Sequence, residues 1–389
     1  MSKRSTPLII CLLLLLAVGM NPASGHPKFA TREAVLCGRC HVDNQGAALR
    51  NEYGAGYYSR EVIPAGLWED FGDMEFTARL HKYVRWGTDI RLQYYQYSEE
   101  GIQRDAFFPM QSDFYLGITP HEQWTLYAEG NLSQIPSLRP EARPAPAGAL
   151  WLQYTLPDET AYIRAGQYLP PYGLRLDDHT SFIRGGNDGT GVVNSAVANI
   201  SPRVQGMHWK PDRTSRGLSV SLNQLGIRFT GHAGLPTSSD EITYSLDAKR
   251  AFWAGPLNVM IGGSYLNGTY MTARRYHFGG LYTGINYGPV TFLGELDIHA
   301  NYVAEDVVGY TTYSELDIQL FQGIEAVLEY EFFESDIEFS QNSLSRITLG
   351  LDLFPIPYIE ILPQYRILST TAEPVFTRKE FIIQGHLWF

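Results

Sequence analysis

Cys37-Gly38-Arg39-Cys40-His41 is the stretch of the 389 residues whose types and spacing define a covalent chemistry. Two thiols three positions apart, followed at once by an imidazole, form C-x-x-C-H, the attachment signature of a c-type haem. Each thiol can add across one haem vinyl group to give a thioether, and the adjacent imidazole can reach the iron as proximal axial ligand. The expectation is one haem c, held by Cys37 and Cys40 with His41 on the iron. A Cys-x-x-Cys pair in an oxidising compartment can also close a small disulfide or supply half of a zinc site. No further Cys follows to complete a zinc site, and a disulfide has no use for His41.

Spacing does not single out a distal ligand: His26, Met74, His81, His179, His299 and His386 are all candidates. Asp177, Asp178 and His179 sit together in the longest connection, 170–202, and could take a metal ion; a polar loop with turn glycines accounts for them equally well. A connection of that length is functional or disordered, and one folded inward would narrow a pore. The nearby Gly185-Gly186-Asn187-Asp188-Gly189 fits neither a phosphate loop nor a calcium loop. The chain has no nucleophile elbow, H-E-x-x-H or P-loop. Its chemistry is therefore read as electron transfer, with iron oxidation at the haem the one catalytic reading.

The elements that must position this motif fall into three parts. Residues 1–25 read as a secretory signal: Lys3 and Arg4, an apolar run from Leu8 to Met20 too short to span a bilayer, and a small-residue site at Ala23-Ser24-Gly25. Export by the Sec route would make His26 the first mature residue and place haem attachment outside the cytoplasm. Removing Lys3 and Arg4 takes the formal charge from -11 to -13, which argues against nucleic acid and towards cationic partners. Residues 26–73 are the cytochrome segment, small for a free-standing core and expected to act as a plug or cap on a larger body.

Residues 74–389 read as that body, an all-β transmembrane antiparallel barrel of about 16 strands. The composition suits it, with 25 Tyr, 19 Phe and 7 Trp. Ile324, Ala326, Leu328, Tyr330 and Phe332 alternate with Glu325, Glu329 and Glu331; Ile347, Leu349, Leu351 and Leu353 alternate with Arg346, Thr348 and Asp352. A barrel turns the apolar face to lipid and the charges to a wet lumen. Phe381, Ile383, Leu387 and the terminal Phe389 resemble the closing-strand signal of bacterial outer-membrane barrels. Short turns alternate with longer polar loops, among them 99–110, and 217–232 is kept as a single strand. A hidden strand in 188–199 would raise the count to eighteen. The lumen face carries Glu295, Asp297, Glu315, Asp317, Glu325, Glu329, Glu331, Asp352 and Glu360, opposed in part by Arg346 and Arg366, and is expected to concentrate cations.

With a Phe-Ala segment before the motif, here Phe29-Ala30-Thr31-Arg32-Glu33-Ala34-Val35-Leu36, the chain resembles the fused monohaem cytochrome–porins of iron-oxidising and other electron-exchanging bacteria. Glu33-Ala34 stands where iron-oxidising members often carry Thr-Gly. Asn44 to Gly54 also resembles the barrel component of porin–cytochrome conduits. The resemblance implies the outer membrane of a Gram-negative bacterium, and electron transfer through one haem c. The donor or acceptor would be external, ferrous iron among the candidates, and the inner partner a periplasmic c-type cytochrome. Two other readings stay open: a sheath around a separate multihaem cytochrome, and a passive porin with an acidic lumen.

Overall fold

A computed structural model describes residues 26–46, 48–66, 78–99, 101–131, 148–176, 180–184, 214–236, 241–270, 274–302, 304–339, 341–371 and 375–389. Sixteen antiparallel strands close on themselves. They are β1 (Val84–Glu99), β2 (Ile102–His121), β3 (Trp124–Asn131), β4 (Leu150–Thr155), β5 (Ala161–Tyr168), β6 (Ser215–Gln224), β7 (Ile227–Pro236) and β8 (Thr243–Ala254), followed by β9 (Leu257–Tyr270), β10 (Arg274–Tyr287), β11 (Val290–Ala300), β12 (Val308–Phe321), β13 (Ile324–Glu334), β14 (Ser343–Leu353), β15 (Ile359–Thr370) and β16 (Thr377–Trp388). Each strand pairs with its neighbours in sequence, and β16 pairs with β1 from Arg378↔Glu99 to Trp388↔Asp89. A three-residue strand, Arg79–His81, pairs antiparallel with the start of β1.

The wall follows the two-residue period of its sequence. Along β13, Glu325, Val327, Glu329, Glu331 and Phe333 are buried, while Leu328 and Tyr330 face outward at 44% and 45% exposure. The outward face is apolar elsewhere too, with Leu246, Leu281 and Leu349 more than half exposed. Aromatic residues ring the short-turn end: Tyr83, Trp124, Trp253, Tyr287 and Phe321 lie beside their turns and are exposed. That is the pattern of a lipid-facing band with an interfacial girdle.

Two turns differ from the sequence expectation. The stretch 217–232 is a hairpin, β6 and β7, and not one strand: Leu225 and Gly226 both take positive φ (+54° and +73°), as a two-residue primed turn requires. Leucine is an unusual residue there, which is why the turn was hidden. The expected loop 99–110 is largely strand, because β1 and β2 pair without a break from Glu99↔Ile102 to Leu92↔Pro109. The segment 188–199 lies outside the described residues.

A sixteen-strand barrel encloses a lumen that side chains of the wall cannot fill. Here the chain fills it from both ends. Residues 26–66 occupy the short-turn end. The connection after β5 folds inward from the other: Leu174, Leu176 and Ile183 pack on Met260, Tyr282, Leu293 and Tyr313 of the wall. Burying each of those three aliphatic side chains contributes about 1.5–3 kcal/mol. The wall carboxylates hold this loop by its backbone. Leu174 N donates to Glu295 (2.7 Å), Phe182 N to Glu331 (2.8 Å), and Arg184 pairs with Glu295 (2.8 Å). At Gly173, φ is +54° and an added Cβ would stand 2.1 Å from Glu295 Oε1, so glycine is required.

Candidate functional site

The plug is placed by its cations. Lys28, on the short helix α1 (Pro27–Arg32), meets Asp317 (3.2 Å), Glu325 (3.0 Å) and Asp352 of the wall. Burial alone would lower the Lys28 amine, but those carboxylates raise it well above its ordinary value. Arg32 meets Glu325 through both terminal nitrogens, and its Nε donates to Thr291 (2.9 Å). Further round the ring, Asp43 accepts two hydrogen bonds from Arg164, Lys249 donates to Gln45 (2.7 Å), and Arg50 pairs with Asp89 (3.3 Å). The lumen carboxylates therefore point inward as expected. Most are occupied by the chain's own cations and amides rather than left to attract ions from solution. Glu315 and Glu329, opposite each other on β12 and β13, line a second chamber together with Lys28 of the plug.

Within the plug, Cys37 opens a single turn, Cys37–Arg39, whose carbonyl accepts from the backbone N–H of Cys40 (3.1 Å) and His41 (3.0 Å). The strand-like bridge His41↔Arg50 and the bonds Val42 N to Leu49 O and Asn51 N to Cys40 O fold the following residues back on the motif. Asn51 then caps the helix Glu52–Val62 and donates to the carbonyls of Gly38 and Arg39. A side chain at Gly54 would place its Cβ 2.2 Å from the Cys40 carbonyl oxygen, so that helix reaches the motif only because residue 54 has none.

Cys37, Cys40 and His41 line one cavity, walled by Pro27, Phe29, Ala30, Leu36, Tyr58, Ile63 and Trp388. Both cysteines are free thiols. Burial, and secondarily Cys37, pushes the Cys40 thiol up to about 11, and burial with Arg50 pulls the His41 imidazole down to about 4. At neutral pH His41 is thus an uncharged ring, the form that ligates a metal. Arg175, delivered by the inward loop, also lines the cavity. Its guanidinium is buried, lowered to about 10 by that burial, and donates to the carbonyls of Leu169 and Pro170. Among the described residues no carboxylate lies within ion-pair distance of it. An apolar cavity holding two thiols, a neutral imidazole and two guanidinium groups, Arg50 and Arg175, fits a c-type haem with its two anionic propionates.

The distal candidates separate in space. His26 lines this cavity. His386 is buried on the wall behind Glu360, His299 stacks on Phe333 far up the lumen, and His81 is exposed beyond the start of β1. Met74 and His179 lie outside the described residues, as do Asp177 and Asp178. Sequence spacing missed Lys28, Arg32, Arg50 and Arg175 as partners of the site, since each meets residues tens to hundreds of positions away.

No family model and no curated protein matches this chain. Solved structures do. The high-pH structure of OprB from Pseudomonas putida aligns with a TM-score of 0.55 at 10% identity, covering 79% of this chain and 94% of that one. An anion-selective porin from Comamonas acidovorans aligns with a TM-score of 0.53 at 10% identity, covering 79% and 99%. The chain has the fold of these outer-membrane porins, a closed antiparallel barrel of sixteen strands.

Proposed function

We propose that this chain is an outer-membrane electron-transfer protein that carries one haem c, bound through Cys37 and Cys40 with His41 as axial ligand. One observation carries the reading: the C-x-x-C-H motif lines an apolar cavity inside the lumen of a porin-type barrel, where its residues fit a haem. The bound group would supply a one-electron iron couple within the thickness of a layer that otherwise insulates. The protein's own residues position it. The thiols fix the macrocycle in place, His41 presents a neutral nitrogen, Arg50 and Arg175 match anionic carboxylates, and Phe29, Tyr58 and Trp388 exclude water.

By the usual arrangement of such barrels, the short-turn end, where the plug sits, faces the periplasm. A periplasmic c-type cytochrome would meet the protein there, and an external donor or acceptor, ferrous iron among the candidates, would approach from the long-loop end. The porin likeness also suits a passive channel, but a plug and an inward loop held by buried ion pairs leave little room for free diffusion. They weigh equally against a separate multihaem cytochrome in the lumen. The test is a denaturing gel of the full-length protein from a host competent in c-type maturation, stained for haem peroxidase activity, beside the Cys37→Ala/Cys40→Ala variant. Stain that comigrates with the parent and is lost in the variant is expected; an unstained parent band overturns the reading.

A further inference from the structure

Among the described residues, His26 is the one imidazole outside the motif that lines the cavity. The other lining group able to ligate haem iron, Tyr58, places its hydroxyl toward the Glu33 carboxylate (3.4 Å), which disfavours a phenolate. The His26 ring packs edge-on against Phe29 of the cavity wall (centroids 5.6 Å apart), and its Nε2 lies 3.4 Å from Glu360 Oε1. Glu360 is itself fixed. Its second oxygen accepts from His386 Nδ1 (2.8 Å), and His386 Nε2 faces Asp89 Oδ1 (3.2 Å). Asp89 accepts from Arg50 (3.3 Å) and from the Tyr115 hydroxyl (2.9 Å). The chain of polar contacts thus leaves the cavity at His26 and returns to it at Arg50.

A metal-ligating histidine characteristically gives its second ring nitrogen to a carboxylate, which sets the tautomer and the ring plane. The His26–Glu360 contact is an ion-pair approach of that kind, made through Nε2, so ligation would be through Nδ1. Resting on the haem reading above, we propose that His26 is the sixth ligand of the iron, opposite His41, and that Glu360 is its positioning residue. The centre would be a bis-imidazole haem, closed to small external ligands and built to pass electrons rather than to bind substrate on iron.

The experiment uses the full-length protein in detergent, with optical and electron paramagnetic resonance spectra of the ferric state. Heat-modifiable gel mobility checks that each variant retains its barrel. The parent is expected to be low-spin and indifferent to added imidazole. His26→Ala should become high-spin and return to low-spin with imidazole. His26→Met should show a thioether-to-iron band in the red and a raised potential. Glu360→Gln should stay low-spin with an upward shift in potential, which a merely structural role would not produce. A folded His26→Ala protein that keeps the parent's low-spin spectrum overturns the proposal while leaving covalent haem intact. Absence of haem stain in the parent is a separate result and removes the haem reading itself.

Discussion

The plug and the inward loop fill the same lumen by different means. The plug, residues 26–66, is held by long cationic side chains that reach acids on the wall: Lys28 to Asp317, Glu325 and Asp352, and Arg32 to Glu325. The loop after β5 offers its backbone, Leu174 N and Phe182 N, to Glu295 and Glu331, and adds an apolar core of Leu174, Leu176 and Ile183. One wall of carboxylates therefore serves two clients. A segment anchored through charge depends on a few side chains. A segment anchored through backbone and packing depends on its exact path.

The sharpest way to break the comparison is Lys28→Ala. Three wall carboxylates would lose their buried cation, a loss of about 3–5 kcal/mol for a buried pair stripped of one partner. The plug should come loose, seen as new protease cleavage between 26 and 66 and as a step up in single-channel conductance, with the barrel itself intact. Unchanged protection would mean that charge does not anchor the plug. Gly173→Ala tests the loop. Its cost, about 1–3 kcal/mol for a side chain forced into that backbone region, should raise conductance while leaving plug protection as it was.

The smallest effect concerns Asp43. Burial would raise its carboxyl, but Arg164, which meets both oxygens, holds it below the usual aspartate range. A depressed value means that the contact contributes above the ordinary aspartate pKa of about 3.9 and is lost as pH falls through the folded value. Protease protection of the plug should therefore weaken on acidification, by roughly 1 kcal/mol through this pair. In Asp43→Asn that part of the pH dependence should vanish; an identical profile in both proteins would show that Asp43 is not the titrating anchor.

Much of the barrel was legible because a sheet with unlike faces writes its period into the chain. Glu325, Glu329 and Glu331 read inward and Leu328 and Tyr330 outward, and so they stand. The Leu225-Gly226 turn was not legible, since the signal for a primed turn is Asn-Gly or Asp-Gly and a leucine carries none. The C-x-x-C-H motif could be read, but not the cavity around it. Arg50 is near in sequence; Arg175 arrives from the middle of the chain and Trp388 from its last strand. The acidic lumen was legible as charge, yet its meaning depended on Lys28 and Arg32, nearly three hundred residues away from the acids they meet.

The plug grips the seam of the wall. Arg50 meets Asp89 on the first strand, Ser59 accepts from the Trp388 indole on the last, and the terminal Phe389 exchanges backbone hydrogen bonds with Thr88. These contacts join the two edges that must meet last when a barrel forms. A cofactor as bulky as a haem cannot be threaded past them afterwards. On the proposed haem reading, attachment at Cys37 and Cys40 would precede closure, and the timing of assembly would become a checkpoint: the loaded N-terminal segment would be the mandrel around which the final pair of strands zips shut.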